Sequence, residues 1–168
     1  FNRWFLGPIF RGSYPRDVLE DVAGLGFESV VQAADPEIIS TPIDALGVNY
    51  YHGEAVSDQP VEREMTTAAP SARPKRSPFP AADGVHWHPR DLPLTAMNWE
   101  VQPEGLTRLL VRIHEEYTAA VGVDLAVTEN GAAYDDEVAP DGAVHDADRV
   151  DFLLVHLAAI LDAIDAGV

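Results

Sequence analysis

The order in which apolar runs and helix signals alternate limits the folds open to this chain more than any other feature. From Ile43 through Val48 an apolar run leads into Asn49, Tyr50 and Tyr51, which reads as a buried strand ending in polar aromatics. Further on, Pro103 and Glu104 open a helix. Its apolar positions Leu106, Leu109, Leu110, Ile113 and Tyr117 share one face, and Gly122 closes it. Val123 to Thr128 reads as a second strand, followed at once by the turn signal Glu129-Asn130-Gly131. An acidic loop over 134–147 precedes a helix for which Asp148 is the expected N-cap, with Asp151 in its first turn and Phe152 to Ile164 as its body. Two strands separated by a helix return in the same direction, so the class is α/β with parallel strands. Tyr51 and Glu129 then end on one rim, the face on which parallel barrels build their sites. Two strands cannot close a barrel, and a typical (β/α)8 barrel takes about 250 residues. The 168 residues therefore read as an incomplete piece of one.

The rest of the chain is less regular. Pro15 suits a first helical turn, and Val18, Leu19, Val22 and Leu25 recur on one face before Gly26, giving a short amphipathic helix. Phe27 to Ala33 is compatible with either an extended or a helical segment. Residues 57–93 hold prolines at 60, 70, 74, 78, 80, 89 and 93, each removing a backbone donor, so the expectation is a long loop at the rim. Arg73, Lys75 and Arg76 within it read as a solvated patch. A first residue of Phe and a final Ala166-Gly167-Val168 suggest that both ends are cut.

Charge excludes several functions. The chain has 28 acidic and 11 basic side chains, a net of −17, so its surface repels phosphates and anionic lipid; no nucleic acid or membrane partner is expected. The longest apolar run, Phe152 to Leu161, is interrupted by His156 and too short to span a bilayer. Without cysteine there is neither a disulfide nor a thiolate metal site. His86 and His88 lack a third ligand at a suitable spacing, and the acidic run from Asp135 to Asp148 lacks the pattern of a calcium loop, so no metal is expected. His114 and His156 read as packing or surface residues on their helices. Neither a glycine-rich phosphate loop nor a Gly-x-Ser-x-Gly elbow is present.

The sharpest chemistry lies in Val127-Thr128-Glu129-Asn130-Gly131. A carboxylate at the end of a buried strand, with a tight turn behind it, is rigidly placed and only partly solvated, which suits a nucleophile. An ordinary surface glutamate ahead of a turn fits the same five residues.

Several stretches together resemble glycoside hydrolase family 1, the β-glucosidase and β-galactosidase family. They are residues 2–6 (Asn-Arg-Trp-Phe-Leu), 10–15 (Phe-Arg-Gly-Ser-Tyr-Pro), 46–51 (Leu-Gly-Val-Asn-Tyr-Tyr), 97–106 (Met-Asn-Trp-Glu-Val-Gln-Pro-Glu-Gly-Leu), 127–131 and 147–152 (Ala-Asp-Arg-Val-Asp-Phe). They run nearly end to end in family order. The resemblance implies a retaining β-glucosidase on a (β/α)8 barrel, acting on a small β-glucoside or cello-oligosaccharide without cofactor, with strands six and seven and their flanking helices present here. It implies that Glu129 is the nucleophile, that the Tyr51 hydroxyl hydrogen-bonds and orients it, that Asn49 lines the sugar site and that Trp99 stacks on the leaving group. Tyr50 is assigned to core packing.

The departures matter too. The family's acid/base glutamate sits in a Thr-Phe-Asn-Glu-Pro type motif with no counterpart here, and Glu54 and Glu100 give no reason to face Glu129. This stretch is expected to be inactive alone. Two alternatives remain: a 6-phospho-β-glycosidase of the same family, or a non-catalytic acidic α/β fragment. Cytoplasmic residence is expected from family habit and the missing cysteines; oligomeric state is left open.

Overall fold

The computed structural model describes residues 2–60, 82 and 84–168. The basic cluster at 73, 75 and 76 and most of the proline-rich stretch lie outside the described residues. In chain order the elements are helices α1 (Asn2–Arg11), α2 (Arg16–Asp21) and α3 (Asp35–Ile39), strands β1 (Ala45–Asn49), β2 (Ala55–Ser57) and β3 (His86–His88), helix α4 (Pro103–Ile113), strand β4 (Asp124–Glu129) and helix α5 (Ala147–Asp165). Strands β1 and β4 pair in parallel, as the alternation of elements requires.

Period-two alternation decides what this two-stranded sheet buries. Val48 and Tyr50 point to one side and join Leu106, Leu110 and Ile113 of α4 and Ala159 and Ala163 of α5 in the core, with Leu46, Leu125 and Val127 packed against it. Small and polar residues occupy the opposite side: Ala45, Gly47 and Asn49 on β1 and Asp124, Ala126 and Thr128 on β4, all exposed. The strand expected to be buried throughout is thus buried on one face only, because no other element among the described residues covers the second. The two helices are stitched together by Thr107, whose hydroxyl donates to the Ala159 carbonyl at 2.8 Å.

Helix α4 does not stop at Ile113. A π-turn over His114–Thr118 and a 3₁₀ turn over Ala119–Val121 carry it to Gly122, whose φ of 68° ends it as expected. The π-turn frees the Glu116 carbonyl, which accepts from the Arg11 guanidinium at 3.0 Å, while that guanidinium lies 4.7 Å from the centre of the Tyr117 ring. Here α1 docks on the helix.

Three readings change. Helix α5 begins at Ala147, so Asp146 rather than Asp148 holds the N-cap position, and Asp148 lies in the first turn. The Asp146 carboxylate makes no cap; it is bound by Arg149, which draws it away from the helix N–H groups. Phe27–Ser29 is a single 3₁₀ turn, fixed by edge contacts of Phe27 with Trp4 and Tyr14 at 4.6 and 5.0 Å. Within the stretch read as an unbroken loop, His86–His88 forms β3, paired antiparallel with β2. This ribbon is separate from the parallel sheet and so needs no proline-free centre.

Candidate active site

The site begins with a fault in the β1–β4 register. Val48 lies opposite Val127, yet Asn49 lies opposite Glu129, so Thr128 is an extra residue on β4. A bulge of this kind bends the strand and redirects the next side chain. Thr128 turns over the open face, where its hydroxyl donates to Asn49 Oδ1 at 2.7 Å. Gly47 makes room for it: a Cβ at that position would lie 3.0 Å from both Thr128 Oγ1 and Cγ2. After the bulge the chain re-pairs through the Tyr50 amide, which donates to the Glu129 carbonyl at 2.9 Å, and through Asn130 Nδ2, which donates to the Tyr50 carbonyl at 2.7 Å.

That pairing brings the two C-terminal strand ends together. The Tyr51 hydroxyl donates to Glu129 Oε2 at 2.6 Å, a short charge-assisted bond. The carboxylate beside it raises the Tyr51 hydroxyl above its usual pKa, chiefly through this bond, so the tyrosine stays a donor. Glu129 itself is exposed rather than partly shielded, because no element among the described residues rises over the rim.

Trp99 enters from a small hairpin over 93–101. The Thr95 amide donates to the Trp99 carbonyl at 2.9 Å and the Val101 amide to the Pro93 carbonyl at 2.8 Å. Asn98 closes the turn at φ 58°, a left-handed conformation that asparagine tolerates better than most residues. The hairpin is tied to the loop beyond Glu129 by the Ala96 amide, which donates to the Ala133 carbonyl at 2.9 Å. Trp99 thus stands beside the strand ends, its ring 5.6 Å from that of Tyr51. All four residues singled out in the sequence, Asn49, Tyr51, Trp99 and Glu129, gather at one rim.

Sequence reasoning missed His52. Its ring stacks on Trp99 at 4.9 Å and 24°, and its position directly after Tyr51 was the only signal available. Glu54 and Glu100, set aside as partners for Glu129, are engaged elsewhere. Glu54 accepts the Trp87 indole N–H at 2.7 Å, and Glu100, 3% exposed, is paired with Arg90. No group of three metal-ligating side chains occurs among the described residues.

An exposed carboxylate held by a phenol, a flat indole beside it and an amide on the neighbouring strand can grip a ring with hydroxyls on its edge and apolar faces. Comparison with known proteins bears on the family. The chain is 40% identical to a bifunctional β-D-glucosidase/β-D-fucosidase of Bifidobacterium breve over 99% of its length and 35% of that protein's. It is 39% identical to β-glucosidase A of Thermotoga maritima, covering 33% of it. Among solved structures, a psychrophilic β-glucosidase from Micrococcus antarcticus superposes with a TM-score of 0.92 at 49% identity, over 99% of this chain and 35% of that one. The chain spans about a third of the length of the relatives it matches, and its fold is a fragment of a (β/α)8 barrel. Since the model for glycosyl hydrolase family 1 is matched from residue 1 to residue 168, the chain belongs to that family.

Proposed function

We propose that the protein carrying this segment is a retaining β-glucosidase, that β1 and β4 are the sixth and seventh strands of its barrel, and that Glu129 is its nucleophile. The observation that carries this is the 2.6 Å bond from the Tyr51 hydroxyl to Glu129 Oε2 at the shared end of two parallel strands. In a retaining mechanism two carboxyl groups stand roughly 5–5.5 Å apart. A Glu129 oxygen attacks the anomeric carbon while the second group gives its proton to the departing oxygen. Water, deprotonated by that same group, then displaces the glutamate from the sugar. Tyr51 holds Glu129 in one rotamer, leaving Oε1 for attack. Asn49, fixed by Thr128, offers its amide N–H groups to a sugar hydroxyl, and Trp99 supports the leaving group. The second carboxyl group lies outside this chain, so the segment alone is inactive. The substrate is a terminal β-D-glucosyl residue on a small aglycone or cello-oligosaccharide.

Replacing Glu129 with Gly in the full-length protein should abolish hydrolysis of an aryl β-glucoside, and added azide should restore it with formation of the α-glucosyl azide. Activity without azide would exclude Glu129 as nucleophile. Turnover confined to the 6-phosphorylated substrate would move the protein to the 6-phospho-β-glycosidases.

A further inference from the structure

Arg90 makes more polar contacts than any one reading of the site uses. Its backbone N–H donates to Glu100 Oε1 at 2.6 Å and its Nε to Glu100 Oε2 at 2.5 Å, so one residue takes both carboxylate oxygens. The two remaining guanidinium nitrogens diverge: Nη1 donates to Gln102 Oε1 at 2.7 Å and Nη2 to the Gly53 carbonyl at 2.6 Å. Gln102 in turn offers its own carbonyl to the Tyr50 hydroxyl at 2.7 Å. The pair is shielded, with the Arg90 side chain 22% and that of Glu100 3% exposed. A planar fork with donors in fixed directions joins three backbone segments as a single ammonium cannot.

The places where those segments are held give the pair its meaning. Gly53 directly follows Tyr51 and His52, and Glu100 directly follows Trp99. Drawing Gly53 and Glu100 onto one guanidinium sets the His52 ring flat on Trp99, 4.9 Å apart, and Tyr51 beside it at 5.6 Å. Room at the junction is limited, since a Cβ on Gly53 would run into the Gln102 side-chain oxygen. We propose that Arg90 and Glu100 are positioning residues that hold Trp99 and His52 as one stacked platform for the leaving group, and thereby set the enzyme's preference for the aglycone. The part concerning substrate rests on the β-glucosidase reading; the part concerning the rings does not.

The test uses Arg90→Lys and Glu100→Gln, made in the full-length protein, which keep the size of each side chain and break the fork. For a β-glucoside with a large aryl aglycone KM should rise about tenfold, the equivalent of one good polar contact. For β-glucosyl fluoride, which has almost no aglycone, KM and kcat should stay within about threefold of wild type. A role in stability alone would lower the fraction of competent enzyme and reduce kcat equally for both substrates with KM unchanged. That outcome overturns the proposal. Incorporated 5-fluorotryptophan reads the platform without turnover: the Trp99 resonance, assigned with Trp99→Phe, should shift in both variants while that of Trp4 stays. An unmoved Trp99 signal also overturns the proposal. A wild-type protein inactive on both substrates but showing the fluorine shift would remove the glucosidase function and leave the clamp standing.

Discussion

The bond between Tyr51 and Glu129 is where one residue's chemistry can be isolated. A hydrogen bond to an ionised group is roughly twice as strong as one between neutral groups. Tyr51→Phe should therefore lower kcat/KM by roughly ten- to a hundredfold if the carboxylate must be held to react. Steady-state kinetics of the full-length protein would show it, and an unchanged value would reduce Tyr51 to a wall of the site. Because Glu129 raises the pKa of this tyrosine above its ordinary 10, the donor stays protonated through neutral pH. The alkaline limb of the rate profile should then be the same in wild type and Tyr51→Phe below about pH 10. Gly105 gives a second test. A Cβ there would collide with the Tyr50 hydroxyl and approach Gln102 Oε1 at 3.0 Å, so Gly105→Ala in the full-length protein should destabilise by about 1–3 kcal/mol through overpacking, visible as a lower Tm. At this scale the sequence told much about which residues matter and little about how they meet. Asn49 and Tyr51 fall on one face by period two alone, but the bulge at Thr128 has no signature in Val-Thr-Glu-Asn-Gly. The stack of His52 on Trp99 joins residues 47 positions apart through an arginine that no local pattern marks.

Among the elements, α5 carries the least expected group. His156 is 1% exposed, stacked on Phe152 at 3.9 Å with Nδ1 2.7 Å from the Phe152 carbonyl, and its ring is 6.1 Å from that of Tyr50. Nε2 is buried with no hydrogen-bond partner among the described residues. Burial lowers its pKa below the ordinary 6.5, against smaller opposing effects of the Phe152 carbonyl and Glu104. The unfolded chain therefore binds a proton that the folded one refuses. This group's contribution to stability is complete above pH 6.5 and is lost as pH falls from there through its lowered folded value. His156→Phe in the full-length protein, which keeps the stack, should flatten the dependence of Tm on pH between about 5 and 7. Equal slopes in both proteins would rule out His156 as the cause. The ends of α5 show why element limits are partly legible. Gly167, at φ 102°, closes the helix with its amide on the Ile164 carbonyl and that of Val168 on Ala163, the Schellman pattern that Ala-Gly signals. At the start, an aspartate suits the cap position at 146 and 148 alike, so residue type alone does not tell which of the two begins the helix. Helices α4 and α5 were readable because their apolar stripes run over several turns. Helix α1 holds Pro8 in its body with Gly7 beside it, two helix-breaking signals that hide it in the sequence, and the three residues of β3 are too few to show a period.

For the whole molecule, the exposed surface decides how this stretch behaves when separated from a longer chain. Leu153, Leu154, Leu157, Leu161 and Ile164 along α5 are each at least 40% exposed, and among the described residues nothing covers the small-residue face of the parallel sheet or pairs with its two edges. A helix apolar on so many sides is built to be covered on more than one, and unpaired parallel edges invite association. Relatives about three times as long match this chain across all or nearly all its length, which is consistent with a folding unit larger than 168 residues. The net charge of −17 opposes aggregation yet also opposes compaction, because like charges repel within one chain as well as between chains. Expressed by itself, the segment should stay dispersed at low salt, bind a dye that reports exposed apolar surface, and melt without a sharp heat-absorption peak. It should leave an aryl β-glucoside intact. Raising the salt screens the charge over about 10 Å at 0.1 M and should shift the balance toward association, which light scattering would detect. A sharp calorimetric transition, or turnover by the purified segment, would show that two strands and their helices suffice where a closed barrel is expected to be needed.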